Sequence, residues 1–429
     1  MKWTISIGMV LLATACSPEA KDKVQQKVQA AQTQAHDAFD AAVPEGQETP
    51  EAKQQRERER FDQQWRELQS FQAQQQAIQQ AQAQQAAEMA EQQIQFAPPG
   101  ARKERFKGLD ANAINSAPVT VPITGDVKGP SVLRAQVYLD RLHFSVGPID
   151  GRWGRNSAVT VWWWQHTHGL APTGDVDEAT FRSLARAAGY TPPLTTYTVT
   201  ADDTKGPFVQ LPESPYEKAK LDCLCYESVR EELAEKFHSS EDFLELLNPD
   251  VTFSDLQPGV TINVPNVRGP VAGDPHDIAR VIISVSGNSW SGFDAAGHLI
   301  FHAPTTLGST YDPSPNETVK VVKITRNPHF HYDPTLYHEV PHTDPDAMLN
   351  PGPNSPVGLV WMALSKPHYG MHGTPDPESI GYTSSHGCVR LTNWDADEVS
   401  HRISEGTPVS FVDPTPRGLP EVAKKKDKS

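Results

Sequence analysis

At 429 residues, 37% of them hydrophobic, the chain can hold two or three modest cores rather than one large one. A formal net charge of −15 excludes nucleic acid as a partner, because phosphate binding needs a clustered excess of Lys and Arg. The short basic run from Lys424 to Lys428 does not reverse this and reads as a solvated chain end.

The first sixteen residues decide the compartment. Met1-Lys2 is a charged start, Ile5 to Leu12 an apolar stretch, and Ala13-Thr14-Ala15 a small-residue cleavage site directly before Cys16. This resembles a lipoprotein signal peptide (residues 1–16), which implies lipid attachment at Cys16 and a membrane partner reached through that lipid. Ala13 stands where Leu is usual, so simple secretion with a free Cys16 stays open. The apolar stretch is far shorter than the ~20 residues that cross a bilayer. Ser17 in place of an Asp resembles the lipoproteins sent to the outer membrane, so a periplasmic location is expected. The four cysteines, Cys16, Cys223, Cys225 and Cys388, are too few for a disulfide framework. Cys223 and Cys225 could close only a small strained ring and receive no role.

Residues 17–114 are rich in Gln, Ala and Glu and poor in β-branched residues, which describes a polar helix or a disordered tether without a core. Glu51 to Gln95 would reach roughly 70 Å if fully helical; occasional Leu and Phe leave a weak coiled coil as the alternative.

Over residues 115–190, Val132, Leu133, Val137, Tyr138 and Leu142 fall at helical spacing. A turn at Gly147 to Gly151 leads to a second helix through Ala158, Val161 and Trp164, and Asp177 caps a third from Glu178 to Ala187. Trp162, Trp163 and Trp164 stand in a row on the second helix, so at least one is expected to be exposed. Asp150-Gly151, Gly154, Ser157, Trp164-Gln165, Gly169-Leu170 and Thr173-Gly174 resemble the helical peptidoglycan-binding domain, with Ser157 where Thr is usual.

Residues 194–267 read as strand, two helices, strand: Tyr197 to Thr200, Glu227 to Phe237, Glu241 to Leu247, Thr261 to Val264. Tyr197-Thr198-Val199, Asp203-Thr204, Leu246 to Pro249, Pro258-Gly259 and Val264-Pro265 resemble a LysM domain, a class that binds N-acetylglucosamine polymers. Asp202 replaces the usual Gly, and an insertion from Lys205 to Cys225 falls near the expected sugar groove, so sugar binding and a spacer role both stay open. Residues 278–413 change to short apolar runs bounded by Gly, Pro and Asn, a β-rich pattern with one helix from Trp394 to Ser404 and Asn393 as its candidate cap.

Two patterns in this last region compete for the chemistry. His338-Glu339-Val340-Pro341-His342 has the letters of the zinc-protease motif, but that chemistry needs both imidazoles on one helical face, and Pro341 breaks such a turn. It reads as a proline-rich loop, with His329 and His331 leaving a loop metal site as the alternative. The second pattern is His372-Gly373-Thr374, followed by Ser384-Ser385-His386-Gly387-Cys388-Val389-Arg390. A thiol of pKa about 8.5 becomes a competent nucleophile when an imidazole or a positive charge stabilises its thiolate. His372 lies sixteen positions before Cys388, enough for a hairpin-like return to the sulfur. Gly387 leaves room for backbone N–H groups to face a developing oxyanion.

This run, with Asn354 to Gly358 upstream, resembles the L,D-transpeptidase family. The resemblance implies Cys388 as nucleophile, His372 as general base, Gly387 and Cys388 at the oxyanion hole, and Ser385, His386, Arg390 and Gly373 lining the site. His386 either transfers protons or only orients the loop; Arg390 either holds a substrate carboxylate or forms a structural ion pair. It also implies a thioester with a peptidoglycan stem, passed to a stem amine, to a lipoprotein lysine or, in a hydrolase, to water, with no metal or organic cofactor. The stretch from Asn327 to Asn354 would then act as a lid. The expected whole is a multidomain α+β chain: helical tether, three-helix peptidoglycan-binding domain, βααβ LysM-like module, β-rich catalytic domain and a basic tail over residues 414–429.

Overall fold

The computed structural model describes residues 49–98, 106, 110–337 and 340–412; the expected signal peptide with Cys16 and the basic tail lie outside the described residues. The chain forms two compact units, Met1–Gln82 and Ala83–Ser429. Helix α1, Pro50–Gln92, is 43 residues long. Its sequence offers no apolar stripe to bury, and it is held along its exposed surface by pairs such as Gln55–Glu59 and Gln63–Glu67, each 3.2 Å.

In the second unit, α2 (Ala111–Ser116), α3 (Pro130–Arg141), α4 (Arg155–Thr167) and α5 (Glu178–Ala187) form the helical region. Asp177 caps α5 as the sequence predicts, its carboxylate accepting from the Thr180 N–H at 2.8 Å. Ile94, Phe96, Phe106 and Ile114 join this core, so the folded region begins before the expected end of the tether. These residues are too sparse to form a periodic pattern, and only the fold brings them together. The tryptophan expectation also fails: Trp162, Trp163 and Trp164 are 8%, 6% and 2% exposed. Trp164 packs on Phe144 and His168, Trp162 stacks on His166, and Trp163 meets His302 of the β-rich region at 5.8 Å. A helix covered on a second side by another layer has no solvent face for an aromatic to occupy.

Strands β1 (Leu194–Thr198) and β2 (Thr261–Pro265) pair antiparallel around α6 (Pro215–Lys218), α7 (Val229–Lys236) and α8 (Glu241–Leu247). The expected βααβ order is present, with Val199, Leu233, Leu244, Ile262 and Val264 as its core and α6 lying in the insertion. Cys223 and Cys225, given no role from the sequence, form a disulfide.

The β-rich region is built from β3 (Arg280–Ser284), β4 (Ser289–Phe293), β5 (Leu299–Pro304), β6 (Thr318–Arg326), β9 (Val360–Leu364), β10 (Gly370–His372), β11 (Val389–Arg390) and β12 (Pro408–Val412). Their order across one eight-stranded sheet is β11-β10-β9-β6-β12-β3-β4-β5. A separate hairpin, β7 (Phe330–Tyr332) with β8 (Ala347–Leu349), occupies what reads from sequence as a proline-rich loop. Strands of two or three residues show no alternation, so the sequence could not reveal β7, β8, β10 or β11. Helix α9, Asn393–Arg402, is capped by Thr392, whose hydroxyl accepts from the Asp395 N–H at 3.2 Å. Asn393, the expected cap, instead accepts from the Leu359 N–H and donates to Glu235 of α7 and to the Pro353 carbonyl.

A buried ion network docks these regions on one another. Arg268, which follows β2, reaches Asp140 of α3 and both Asp395 (2.6 Å) and Glu398 of α9. Burial opposes ionisation of Asp140, but Arg268 and His238 beside it prevail and hold its carboxyl below the usual range.

Candidate active site

β10 and β11 run parallel, with Met371 opposite Val389 and His372 opposite Arg390. The chain between them therefore crosses over rather than returning as the expected hairpin, because parallel neighbours need such a connection. In this register Cys388, the residue before β11, lies beside Gly370 at the start of β10, and His372 lies two residues further along β10, opposite Arg390.

His372 is 5% exposed, with the Trp361 ring stacked on it at 5.4 Å. Its Nδ1 lies 2.6 Å from the Gly373 carbonyl. A carbonyl can only accept, so the proton sits on Nδ1 and the lone pair on Nε2. Burial lowers the pKa of His372 to about 3, with the Arg390 charge acting in the same direction and the Gly373 hydrogen bond opposing both. The imidazole is thus neutral near neutral pH.

The half-buried Cys388 thiol points at the His368 carbonyl, 3.7 Å away, and among the described residues no hydrogen bond joins it to His372. Burial pushes this thiol up; the Gly370 N–H and the Arg390 guanidinium pull partly back. The resting sulfur is a thiol, so the stabilised thiolate expected from neighbouring imidazoles is not its ground state.

The loop around Cys388 is fixed from several sides. Gly387 has φ +102°, and a Cβ there would approach Tyr369 Cε1 to 2.8 Å, so only glycine fits. Ser385 donates through Oγ to the Cys388 carbonyl at 2.6 Å and accepts from the Gly387 N–H at 3.2 Å. Its backbone bridges to Leu307 and Ser309. Ser385 thus shapes the loop, and the Gly387 N–H, expected at the oxyanion hole, is engaged by the Ser385 hydroxyl. Gly373 is required for close packing, since a Cβ would meet Asn393 Oδ1 at 2.3 Å.

His386 is exposed and meets the Tyr337 ring edge-to-face at 4.9 Å. Arg390 is half-buried and, among the described residues, has no ion-pair partner, so the structural ion pair considered from sequence is absent there. Burial lowers its pKa while the Cys388 sulfur, Tyr337 and Asp376 raise it.

Three participants carry no motif signal: the Gly370 N–H, the His368 carbonyl and Tyr337. Burial raises the Tyr337 phenol to about 12, with the neighbouring Cys388 acting in the same direction. Of the rejected zinc-protease letters, His338 and Glu339 lie outside the described residues, and His342 is exposed.

Residues 279–410 match the family model described as the L,D-transpeptidase catalytic domain, and residues 128–184 match that described as "Putative peptidoglycan binding domain". A Bacillus licheniformis protein named "Putative L,D-transpeptidase YkuD" is 27% identical over 182 residues, covering 42% of this chain and 92% of the relative. Its Bacillus subtilis namesake is 47% identical over 59 residues, but these cover 14% of this chain and 36% of that protein. The L,D-transpeptidase from Mycobacterium smegmatis, a solved structure, is 18% identical with a TM-score of 0.26, covering 36% of this chain and 63% of the other, a likeness too slight to bear on function. The chain thus carries an L,D-transpeptidase catalytic domain at residues 279–410 and a peptidoglycan-binding domain at residues 128–184.

Proposed function

We propose that the protein is an L,D-transpeptidase acting on peptidoglycan stem peptides through a Cys388 thioester, forming cross-links or attaching a lipoprotein. The observation that carries this is the parallel register of β10 and β11, which sets the loop-held Cys388 on the strand next to His372, whose neutral imidazole carries its lone pair on Nε2. His372 removes the Cys388 proton as the sulfur attacks the carbonyl at the L-centre of the third stem residue. With the Gly387 N–H bound to Ser385, stabilising the oxyanion falls to the Cys388 N–H. The proton then passes from His372 to the departing D-alanine amine, leaving the thioester. An acceptor amine attacks it, His372 takes the proton of that amine, and as the new amide forms the sulfur leaves and takes that proton back from His372. Arg390, without a carboxylate partner of its own among the described residues, suits a carboxylate on the stem.

The peptidoglycan-binding helices would hold the polymer, and the βααβ order of residues 194–265 supports a LysM-like reading for that module. Lipidation at Cys16 and a periplasmic, outer-membrane location complete the reading. Incubating the protein with a tetrapeptide stem, with and without an acceptor amine, tests it by intact mass and product analysis. We expect a covalent adduct lost in Cys388→Ser and a cross-linked product when the amine is present. A tripeptide alone would make the protein a carboxypeptidase instead, and the absence of any adduct with a stem or a carbapenem would reject the nucleophile.

A further inference from the structure

The insertion from Lys205 to Cys225 interrupts the βααβ module, yet it also hydrogen-bonds the catalytic region. The Leu224 N–H donates to the Pro351 carbonyl and the Leu224 carbonyl accepts from the Asn354 N–H, both at 2.9 Å. The Asn350 side chain donates to the Leu221 carbonyl at 2.7 Å and that of Asn354 to the Cys225 carbonyl at 3.1 Å. Leu224 is fully buried, and the backbones are so close that a Cβ on Gly352 would lie 2.1 Å from the Leu224 oxygen. The disulfide between Cys223 and Cys225 closes a ring around Leu224, which limits how its N–H and C=O can turn.

The clamped segment starts at Asn350, directly after β8, so the clamp grips the C-terminal side of the β7–β8 hairpin. A two-stranded ribbon is marginal alone and needs outside support. From the insertion a row of rings runs to the nucleophile loop: Tyr216 to Tyr332 at 6.1 Å, Tyr332 to Tyr337 at 5.3 Å, and Tyr337 to His386 at 4.9 Å.

We propose that the disulfide-closed clamp at Leu224 is a positioning element for the transfer site: it holds the Tyr332–Tyr337 wall against the catalytic loop and thereby sets how a stem peptide approaches Cys388. Leu224 touches no substrate and acts through the hairpin. The substrate arm of this inference rests on the function proposed above; the accessibility of Cys388 does not.

The test uses the full chain in three forms: parent, the double variant Cys223→Ser/Cys225→Ser, and Gly352→Ala, which forces the two backbones apart. For each, kcat and KM with a tetrapeptide stem and an amine acceptor are measured, together with the rate of Cys388 alkylation by iodoacetamide, read on the Cys388 peptide. Circular dichroism checks the fold. We expect KM to rise about tenfold with kcat changed less, while alkylation becomes several times faster as the wall loosens. A clamp that merely stabilises the fold would move neither value in a folded variant. Values within about twofold of the parent, or a joint fall in kcat and alkylation, overturn the proposal. If the parent does not turn over the stem but is alkylated, the transpeptidase reading fails and the alkylation rates alone decide the clamp. If the double variant does not fold, Gly352→Ala decides; if neither folds, the clamp is a folding element and the positioning role is wrong.

Discussion

His372 is buried against Trp361 and donates to its neighbour's carbonyl, and both facts bear on how the rate should depend on pH. An imidazole whose pKa is lowered to about 3 stays neutral through the range where an ordinary histidine titrates. The Cys388 thiol, raised by burial, ionises later than a free cysteine. Acylation of Cys388 should therefore show no inflection near neutral pH and a rise only on the alkaline side. His372→Ala should slow acylation at pH 7 by ~10²–10⁴-fold, with the deficit shrinking as pH approaches the thiol pKa. A stopped-flow pH series on both proteins checks this; an acid limb near pH 6.5 that the substitution removes would refute the neutral base. The residue types needed for thiol chemistry were legible in the motif around Cys388. Which N–H groups were free was not, because the Ser385 hydroxyl engages Gly387 through a loop conformation that no spacing rule reports.

Among the elements, the short strands around the site matter most. β10 and β11 carry three and two residues, so their pairing depends on the loop that joins them. Gly387 lies in that loop at φ +102°, beside the Tyr369 ring. Gly387→Ala should cost about 1–3 kcal/mol of local strain. Because the strain falls on the residue beside Cys388, it should appear as lost acylation more than as global unfolding. Comparing carbapenem acylation rates with melting temperatures separates the two, and a variant with parental acylation would show that the loop tolerates a side chain. Helices were more legible than strands here: Asp177 and the apolar spacing of α3 and α4 carried local signals, whereas β7, β8, β10 and β11 exist through partners distant in sequence.

For the second unit as a whole, buried ionisable groups tie helical, βααβ and β-rich regions together. Glu235 of α7 hydrogen-bonds Asn393 of α9 and Tyr226, and burial raises its pKa to about 8, those bonds opposing. A carboxyl whose folded pKa exceeds its unfolded value holds its proton more tightly when folded. Its contribution is complete below the unfolded value of 4.5 and is lost as pH rises through about 8. Asp140 and Glu398 are held low once Arg268 outweighs their burial, so they lose their contribution as pH falls. Thermal stability should therefore decline by a few kcal/mol at most as pH rises from 4.5 to about 8, and Glu235→Gln should flatten that decline. Melting curves from pH 5 to 9 provide the measurement; an unchanged slope between pH 5 and 8 in the variant would remove Glu235 from this role.

By itself the sequence determined the order of helical, βααβ and β-rich regions, the Asp177 cap of α5, and a candidate cysteine and histidine for the site, because those are written in local spacing and residue chemistry. The tertiary structure alone decided that all three adjacent tryptophans are buried, that Asn393 bridges modules instead of capping a helix, and that the insertion grips the hairpin beside Cys388. Each of these depends on groups far apart in the chain meeting across a packed interface, and burial and hydrogen-bond partnership across such an interface leave no periodic trace in the residues that share it.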